Sequence, residues 1–316
     1  MGLMKEDSEQ KQNSVPKVSV VVLNWNGLEN TLECIESLSK INYPNYEIIV
    51  VDNGSSDGSA QTLKDRRYKI ALLENAENLG FSAGNNVGIL YAIEHGTDYV
   101  FLINNDTIVD QDVVKTLVDV GEKDARIGTV GPKIYDFYEP DKIWFAGATI
   151  DWKTGESPHS GKGLIDKGQF NAVIEVDRLT GCAMLIKRTV FEKIGLLDPD
   201  YFLYFEDVDF CVRARKAGYK SICVQYAKVW HKESMSTKAK DGSPLHTYYH
   251  NRNRLLFIKK HGKILLAEHF KNGLRILVGD KYKRMGIVDF YLGRFGKNAK
   301  VDRIAEPVQQ TRAKDA

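Results

Sequence analysis

Three clusters of polar residues stand where the sequence pattern ends a strand or begins a helix, and each can do chemistry. Asn104-Asn105-Asp106-Thr107 closes the apolar run Tyr99 to Ile103. A carboxylate on such a strand-end rim can hold Mg²⁺ or Mn²⁺ through hard oxygen ligands while phosphates complete the shell, and capping of the helix that follows is the alternative role for Asp106. His231 ends an alternating run after Val229-Trp230. A neutral imidazole there can be a second ligand, for Mn²⁺ in particular, or a structural histidine. Phe205-Glu206-Asp207-Val208-Asp209 places three carboxylates at a helix start. The helix dipole favours anions there, so one of them can act as a base, Asp207 being the choice, while capping of the first turn is the alternative. Glu206, Asp209, Gly181 and Trp230 are the candidates for the walls of the same pocket.

Two weaker signals accompany them. Asp52 ends a second apolar run before Asn53-Gly54-Ser55-Ser56-Asp57-Gly58 and can accept a hydrogen bond from a base N–H or a ribose hydroxyl. Asn78-Leu79-Gly80-Phe81 with Gly84-Asn85-Asn86 sets small and amide residues at a helix start, suited either to close approach of a substrate or to a glycine-permitted turn. A metal and phosphate site, a base for a hydroxyl and a polar rim for a nucleotide are together what transfer of a sugar from a diphosphate requires.

The elements that must carry these residues alternate. Val18 to Leu23 predicts a strand, Asn24-Trp25-Asn26-Gly27 a turn, and Leu28, Leu32, Ile35 and Leu38 a helix. Glu47 to Val51 and Tyr99 to Ile103 predict further strands, with helices over Ser82 to His95, facing inward through Ala83, Val87, Leu90 and Tyr91, and over Asp110 to Gly121. Strand–helix alternation implies parallel pairing, with ligands beyond the carboxyl ends of the strands. After Gly131 the alternation breaks into short strands at 143–151, 173–179 and 182–187, then a helix at 206–217 and a strand at 220–230. The segment from Thr247 to about Val288 predicts helices, with Leu255, Leu256, Ile258, Ile264, Leu265, Leu274 and Ile276 as apolar positions. The division expected is a flexible leader at 1–17, a catalytic domain at 18–245 with nucleotide-binding (18–131) and acceptor-binding (132–245) halves, and a basic helical extension at 246–316.

With 316 residues and 43% hydrophobic content the chain can bury one large α/β core. Four scattered cysteines form no CxxC pair, which argues against a zinc site or a disulfide framework and for a reducing compartment. No apolar run reaches the roughly 18 residues that span a bilayer, so the expectation is a cytoplasmic protein, at most peripheral on the membrane's cytoplasmic face. The net charge of +2 hides 16 Lys/Arg against 6 Asp/Glu from Leu245 onward, a basic tail open to anionic lipid, nucleic acid or solvent alone. An NAD enzyme is disfavoured because no GxGxxG follows the first strand, and a nucleotidyltransferase because Asn24-Trp25-Asn26-Gly27 is no phosphate-gripping loop. A non-catalytic module that binds nucleotide sugar or nucleic acid would leave the carboxylate and histidine constellation without a role.

The blocks Val20-Val21-Val22-Leu23-Asn24-Trp25-Asn26, Val51 to Gly58, Asn78-Leu79-Gly80-Phe81, Asn104-Asn105-Asp106, Thr180-Gly181-Cys182-Ala183, Phe205 to Asp209 and Val229-Trp230-His231 resemble, in that order, the family 2 glycosyltransferases of GT-A fold, in particular their rhamnosyltransferase branch. The resemblance, over about Val18 to His261, implies an α/β fold with a mostly parallel central sheet flanked by helices. It implies an inverting hexosyltransferase of polysaccharide or cell-envelope synthesis that takes a nucleotide diphosphate sugar, dTDP-rhamnose foremost, and a glycan or lipid-linked acceptor, with no nucleic acid partner. By the same resemblance Asp106 and His231 hold Mn²⁺ or Mg²⁺, Asp207 is the general base, Asp52 meets the nucleobase, and Leu23, Asn24, Asn26, Asn85 and Asn105 belong to the nucleotide side. The family's Asp-X-Asp appears here as Asn104-Asn105-Asp106, so one metal-binding carboxylate is missing.

Overall fold

The computed structural model describes residues 15–65, 67–232, 242–263 and 266–303. Residues 1–14 of the expected leader, Ile264, Leu265 and the tail from 304 lie outside the described residues. In chain order the strands are β1 (Val18–Asn24), β2 (Tyr46–Asp52), β3 (Ala71–Glu74), β4 (Tyr99–Asn104), β5 (Thr107–Val109), β6 (Ile127–Asp136), β7 (Ile143–Phe145), β8 (Val173–Val176), β9 (Ala183–Lys187) and β10 (Lys220–His231). The helices are α1 (Leu28–Leu38), α2 (Ser59–Leu63), α3 (Gly80–Glu94), α4 (Val113–Gly121), α5 (Arg188–Ile194), α6 (Glu206–Lys216), α7 (Pro244–His261), α8 (Leu266–Val278), α9 (Lys281–Tyr291) and α10 (Ala299–Asp302).

One mixed sheet organises the molecule in the order β3-β2-β1-β4-β9-β6-β10-β5, with β7 on β6 and β8 on β10. The first four are mutually parallel, as covering helices require, whereas β9 enters antiparallel between β4 and β6. Val20, Val21 and Val22 of β1 and Ile49, Val50 and Val51 of β2 are wholly buried because helices cover both faces of these strands. Parallel register sets Asn24 beside Asp52 and Leu23 beside Asn104, so the strands end on one rim.

Helix α3 departs from its apolar pattern. Its buried side is Gly84, Asn85, Gly88, Ile89 and Ala92, while Leu90 is exposed. A Cβ on Gly88 would come within 2.5 Å of Val21. The helix therefore meets the sheet through its small residues, a face that hydrophobic periodicity does not score.

The strand 127–136 interrupts itself with Gly128, Gly131 and Pro132, yet runs beside β10 for its whole length. Strand 143–151 shortens to Ile143–Phe145. The C-terminal helices pack against this body through Leu255, Leu256, Phe257 and Ile258, which join Tyr201, Phe205, Val208 and Val212 in a second core. They are thus part of the main body rather than an appendage.

Candidate active site

A cavity of about 880 Å³ opens above the carboxyl ends of β1 and β4. One wall is Leu23, Trp25 and Asn53; its floor carries Asn105, Asp106 and His231. Arg178, Gly181, Glu206 and Asp207 stand on another side, and Leu245, His246 and His250 of α7 complete it.

The β1–β2 rim is held by a polar network. Asn24 donates through Nδ2 to Asp52 Oδ1 at 2.8 Å and to Ser55 Oγ at 3.1 Å. Asp52 Oδ2 accepts from the Ser55 amide at 3.0 Å, and Asn26 Oδ1 accepts from the Ser56 amide at 2.8 Å. Asn105 Nδ2 donates to Thr31 Oγ1 at 2.9 Å, which itself donates to Asn24 Oδ1 at 2.8 Å. Of the residues expected to touch a nucleotide, Leu23 and Asn105 line the cavity. Asn24, Asn26 and Asp52 are outside the cavity lining, and their polar atoms tie the two strand-end loops together. Asn85 is outside the lining as well, buried one turn into α3 with Nδ2 on the Phe81 carbonyl at 2.9 Å. Asn53, absent from the expectation, takes the cavity position instead and bridges Asn78 Oδ1 at 3.0 Å and the Gly80 carbonyl at 3.1 Å. Its place directly after Asp52 in a turn was the available signal.

Asp106 lies between β4 and β5, not before a helix, so the capping alternative falls. Antiparallel pairing of β5 with β10 sets His231 opposite Thr107 and brings His231 Nε2 to 3.1 Å from Asp106 Oδ1. Both side chains are buried, and Trp144 packs edge-on against the imidazole with ring centroids 4.7 Å apart. Burial disfavours a charged imidazole, but Cys182 and Asp106 outweigh it and raise the His231 pKa well above its usual value. A carboxylate oxygen and an imidazole nitrogen so placed are a donor set that suits Mn²⁺ or Mg²⁺ when a diphosphate supplies the remaining oxygens, and the protein alone gathers no larger cluster among the described residues. Trp230 is not in the cavity lining: as neighbours on a strand point to opposite faces, it stacks on Tyr135 at 6.1 Å.

The acidic cluster is divided by helix periodicity. Asp207 Oδ2 accepts from the Gly181 amide at 3.0 Å and lies 3.7 Å from Arg178 Nη1, while Oδ1 accepts from the Val208 amide at 2.7 Å. Glu206 is 5% exposed and its Oε2 meets no partner among the described residues. Burial first, and the neighbouring Asp207 charge second, raise its pKa well above the carboxylate range. Asp209, expected in the pocket, is outside the cavity lining: roughly 200° further round α6 than Asp207, it is enclosed by Arg213 (2.6 Å), Lys260 (2.7 Å) and His261 (2.7 Å). These partners hold its carboxyl well below the usual range despite burial.

The loop before Glu206 is strained. Phe202, Tyr204 and Phe205 have φ of 59°, 69° and 75°, the left-handed region that costs a non-glycine residue about 1–3 kcal/mol. Asn253 of α7, wholly buried, compensates: its Nδ2 donates to the carbonyls of Tyr201, Leu203 and Tyr204 at 2.7, 2.8 and 2.9 Å. Arg252 reaches the Asp200 and Tyr201 carbonyls at 3.1 and 3.2 Å. Gly80 meets the other side of the loop, where its φ of 80° and its lack of a Cβ admit Phe202. Arg178 and this clamp were invisible to motif reading because they act across long sequence separations.

A strand-end nucleotide rim, a carboxylate–imidazole pair and a helix-borne acid around one cavity in a GT-A α/β fold define a glycosyltransferase. The chain belongs to glycosyl transferase family 2, whose family model matches residues 19–195. It is 30% identical over 245 residues to the uncharacterized protein y4gI of Sinorhizobium fredii, covering 72% of this chain but only 25% of that longer protein. It is 27% identical over 244 residues to the N-acetylglucosaminyl-diphospho-decaprenol L-rhamnosyltransferase of Mycobacterium tuberculosis, covering 71% of this chain and 78% of that one. Among solved structures it resembles the mannosyltransferase PcManGT of Pyrobaculum calidifontis, solved with GDP-Man and Mn²⁺, with a TM-score of 0.54 and 14% identity over 96% of this chain and 85% of the other.

Proposed function

We propose that the protein transfers a hexose from a nucleotide diphosphate sugar to a hydroxyl of a glycan or lipid-linked acceptor, with inversion at the anomeric carbon. The observation that carries this reading is that Asp207 and the Asp106–His231 pair open on the same cavity from different walls. Asp207 takes the proton of the acceptor hydroxyl as that oxygen bonds to the anomeric carbon; the bond from that carbon to the diphosphate oxygen breaks on the opposite face. The Gly181 and Val208 amides orient the Asp207 carboxylate for this task. Asp106 and His231 would hold Mn²⁺ or Mg²⁺, which supplies positive charge to the departing diphosphate. Leu23, Trp25, Asn53 and Asn105 form the nucleotide wall, stiffened from behind by Asn24, Asn26 and Asp52. Glu206, its pKa raised by burial and its Oε2 without a partner among the described residues, is placed to hydrogen-bond a sugar hydroxyl. Similarity to a rhamnosyltransferase makes dTDP-rhamnose the first donor to test.

The test pairs a donor panel with Asp207→Asn. One donor raises the thermal midpoint in a Mn²⁺-dependent manner. Asp207→Asn keeps that shift while turnover falls by about 10² to 10⁴, the usual worth of a general base. Near-normal turnover in the variant removes Asp207 from the role, and absence of a shift with every donor removes the donor class.

A further inference from the structure

Helix α8 presents an apolar stripe that nothing among the described residues covers. Phe270, Leu274, Leu277 and Val278 are 71%, 48%, 74% and 84% exposed. Their i, i+4, i+7, i+8 spacing puts them within about 100° of arc on one face. Tyr291 and Leu292 at the end of α9 are also exposed, and the Tyr291 hydroxyl lies 2.8 Å from His269 Nδ1, which joins them to the flank of the stripe. The same segment carries exposed cations: Lys271 beside the stripe on α8, Lys281 and Arg284 on α9, and Arg294 just beyond it, 3.5 Å from Asp289. The acids of this region turn inward instead. Glu268 pairs with Arg254 at 3.1 Å and Arg275 at 2.8 Å, and Asp289 accepts from Tyr248 Oη at 2.7 Å. Only Asp280, which caps α9, stays at the surface of 268–294.

We infer that this stripe docks the protein on a membrane surface containing anionic lipid, with α8 lying in the interface and its apolar side chains among the upper acyl chains. The geometry of α8 fits that placement: thirteen residues make a helix of about 20 Å, too short for the roughly 30 Å hydrocarbon core, and apolar residues flanked by Lys and Arg are the pattern of interfacial helices. Charge complementarity selects the lipid over a second copy of the chain, since a two-fold contact would press one basic rim against its like. The stripe is also too small: a handful of side chains falls well short of the roughly 800 Å² per partner of a stable interface. The stretches 1–14, 233–241 and 304–316 are polar in sequence and offer no matching apolar run. The inference rests on the surface alone and does not depend on the identity of donor or acceptor.

The test is sedimentation of the full chain with vesicles of phosphatidylcholine, with and without phosphatidylglycerol. The chain is expected to pellet with the anionic vesicles and to be released by high salt. Phe270→Ser combined with Leu277→Ser lowers the partition at least tenfold, since each lost apolar contact is worth roughly a factor of ten. Lys271→Glu combined with Lys281→Glu lowers it on anionic vesicles only. Both variants keep the thermal midpoint and the transfer rate to a water-soluble acceptor, which separates docking from catalysis. Wild-type protein that stays in the supernatant, or serine variants that pellet like wild type, overturn the inference. So does a dimer that the serine pair converts to monomer, which would make the stripe a subunit interface.

Discussion

Asn253 is the residue on which the loop before Glu206 depends most, and Asn253→Asp isolates that dependence. The substitution keeps shape and volume but exchanges the two N–H donors of the amide for a carboxylate oxygen. The carbonyls of Tyr201, Leu203 and Tyr204 then lose the amide donor in a buried site, that of Tyr201 keeping Arg252 Nη2 at 3.2 Å. Each unmet buried acceptor costs about 1–3 kcal/mol, and since two N–H groups serve the three, the loss is about 2–6 kcal/mol before any repulsion. That loss falls on a loop already carrying three left-handed non-glycine residues at 202, 204 and 205, so the loop should relax to ordinary backbone angles and carry Asp207 with it. A domain is stable by about 5–15 kcal/mol, so the fold survives where the loop does not. Urea unfolding should show a deficit of about 3 kcal/mol or more for Asn253→Asp and a smaller one for Asn253→Ala, where water can enter the space. Turnover should fall at least tenfold in both, with donor KM little changed because the proposed nucleotide wall sits at the ends of β1, β2 and β4. An Asn253→Asp protein within about 1 kcal/mol of wild type, or an alanine variant worse than the aspartate one, would refute the role of the donated hydrogen bonds.

Three further outcomes follow from the site. Asp209→Asn removes the buried carboxylate shared by Arg213, Lys260 and His261, of which Lys260 keeps Asp198 at 2.6 Å, and should cost about 3–5 kcal/mol at neutral pH. The depressed folded pKa makes this stabilisation fully present above the ordinary value of 3.8 and lost as pH falls below it, so urea midpoints of wild type and variant should converge in acid. Glu206 acts in the opposite sense: its raised folded pKa means that, above the ordinary value of 4.5, the folded state keeps a proton that the unfolded chain releases. Wild-type stability should therefore drop by up to about 1.4 kcal/mol per pH unit relative to Glu206→Gln, and parallel stability curves between about pH 5 and 7 would exclude it. Gly80→Ala sets a Cβ within 2.6 Å of the Phe202 carbonyl oxygen at a φ of 80° and should cost more than about 1 kcal/mol in calorimetry.

The sequence revealed most where a single physical rule decides the outcome. Apolar runs that stop at Asn24, Asp52 and Asn104 mark the ends of buried parallel strands, and those ends share a rim in any such sheet. Choosing among neighbours was harder because burial and facing direction come from packing. Strand alternation forbids Trp230 and His231 from sharing a face, and helix geometry keeps Asp207 and Asp209 apart, yet which of each pair meets the cavity depends on elements distant in sequence. The antiparallel insertion of β9 and the short β3 carry no periodic signal, and β6 hides behind its glycines and proline. The α7 clamp is the extreme case, since Asn253 reaches a loop 49 to 52 residues earlier.

Helix α7 serves two neighbours with different sides of its surface: His246 and His250 border the cavity, while Arg252 and Asn253 hold the strained loop. Substitutions at 246 and 250 can therefore reshape the cavity wall one side chain at a time while the loop's anchors stay fixed. A graft that exchanged the whole helix between relatives would forfeit that freedom unless the loop at 200–205 travelled with it.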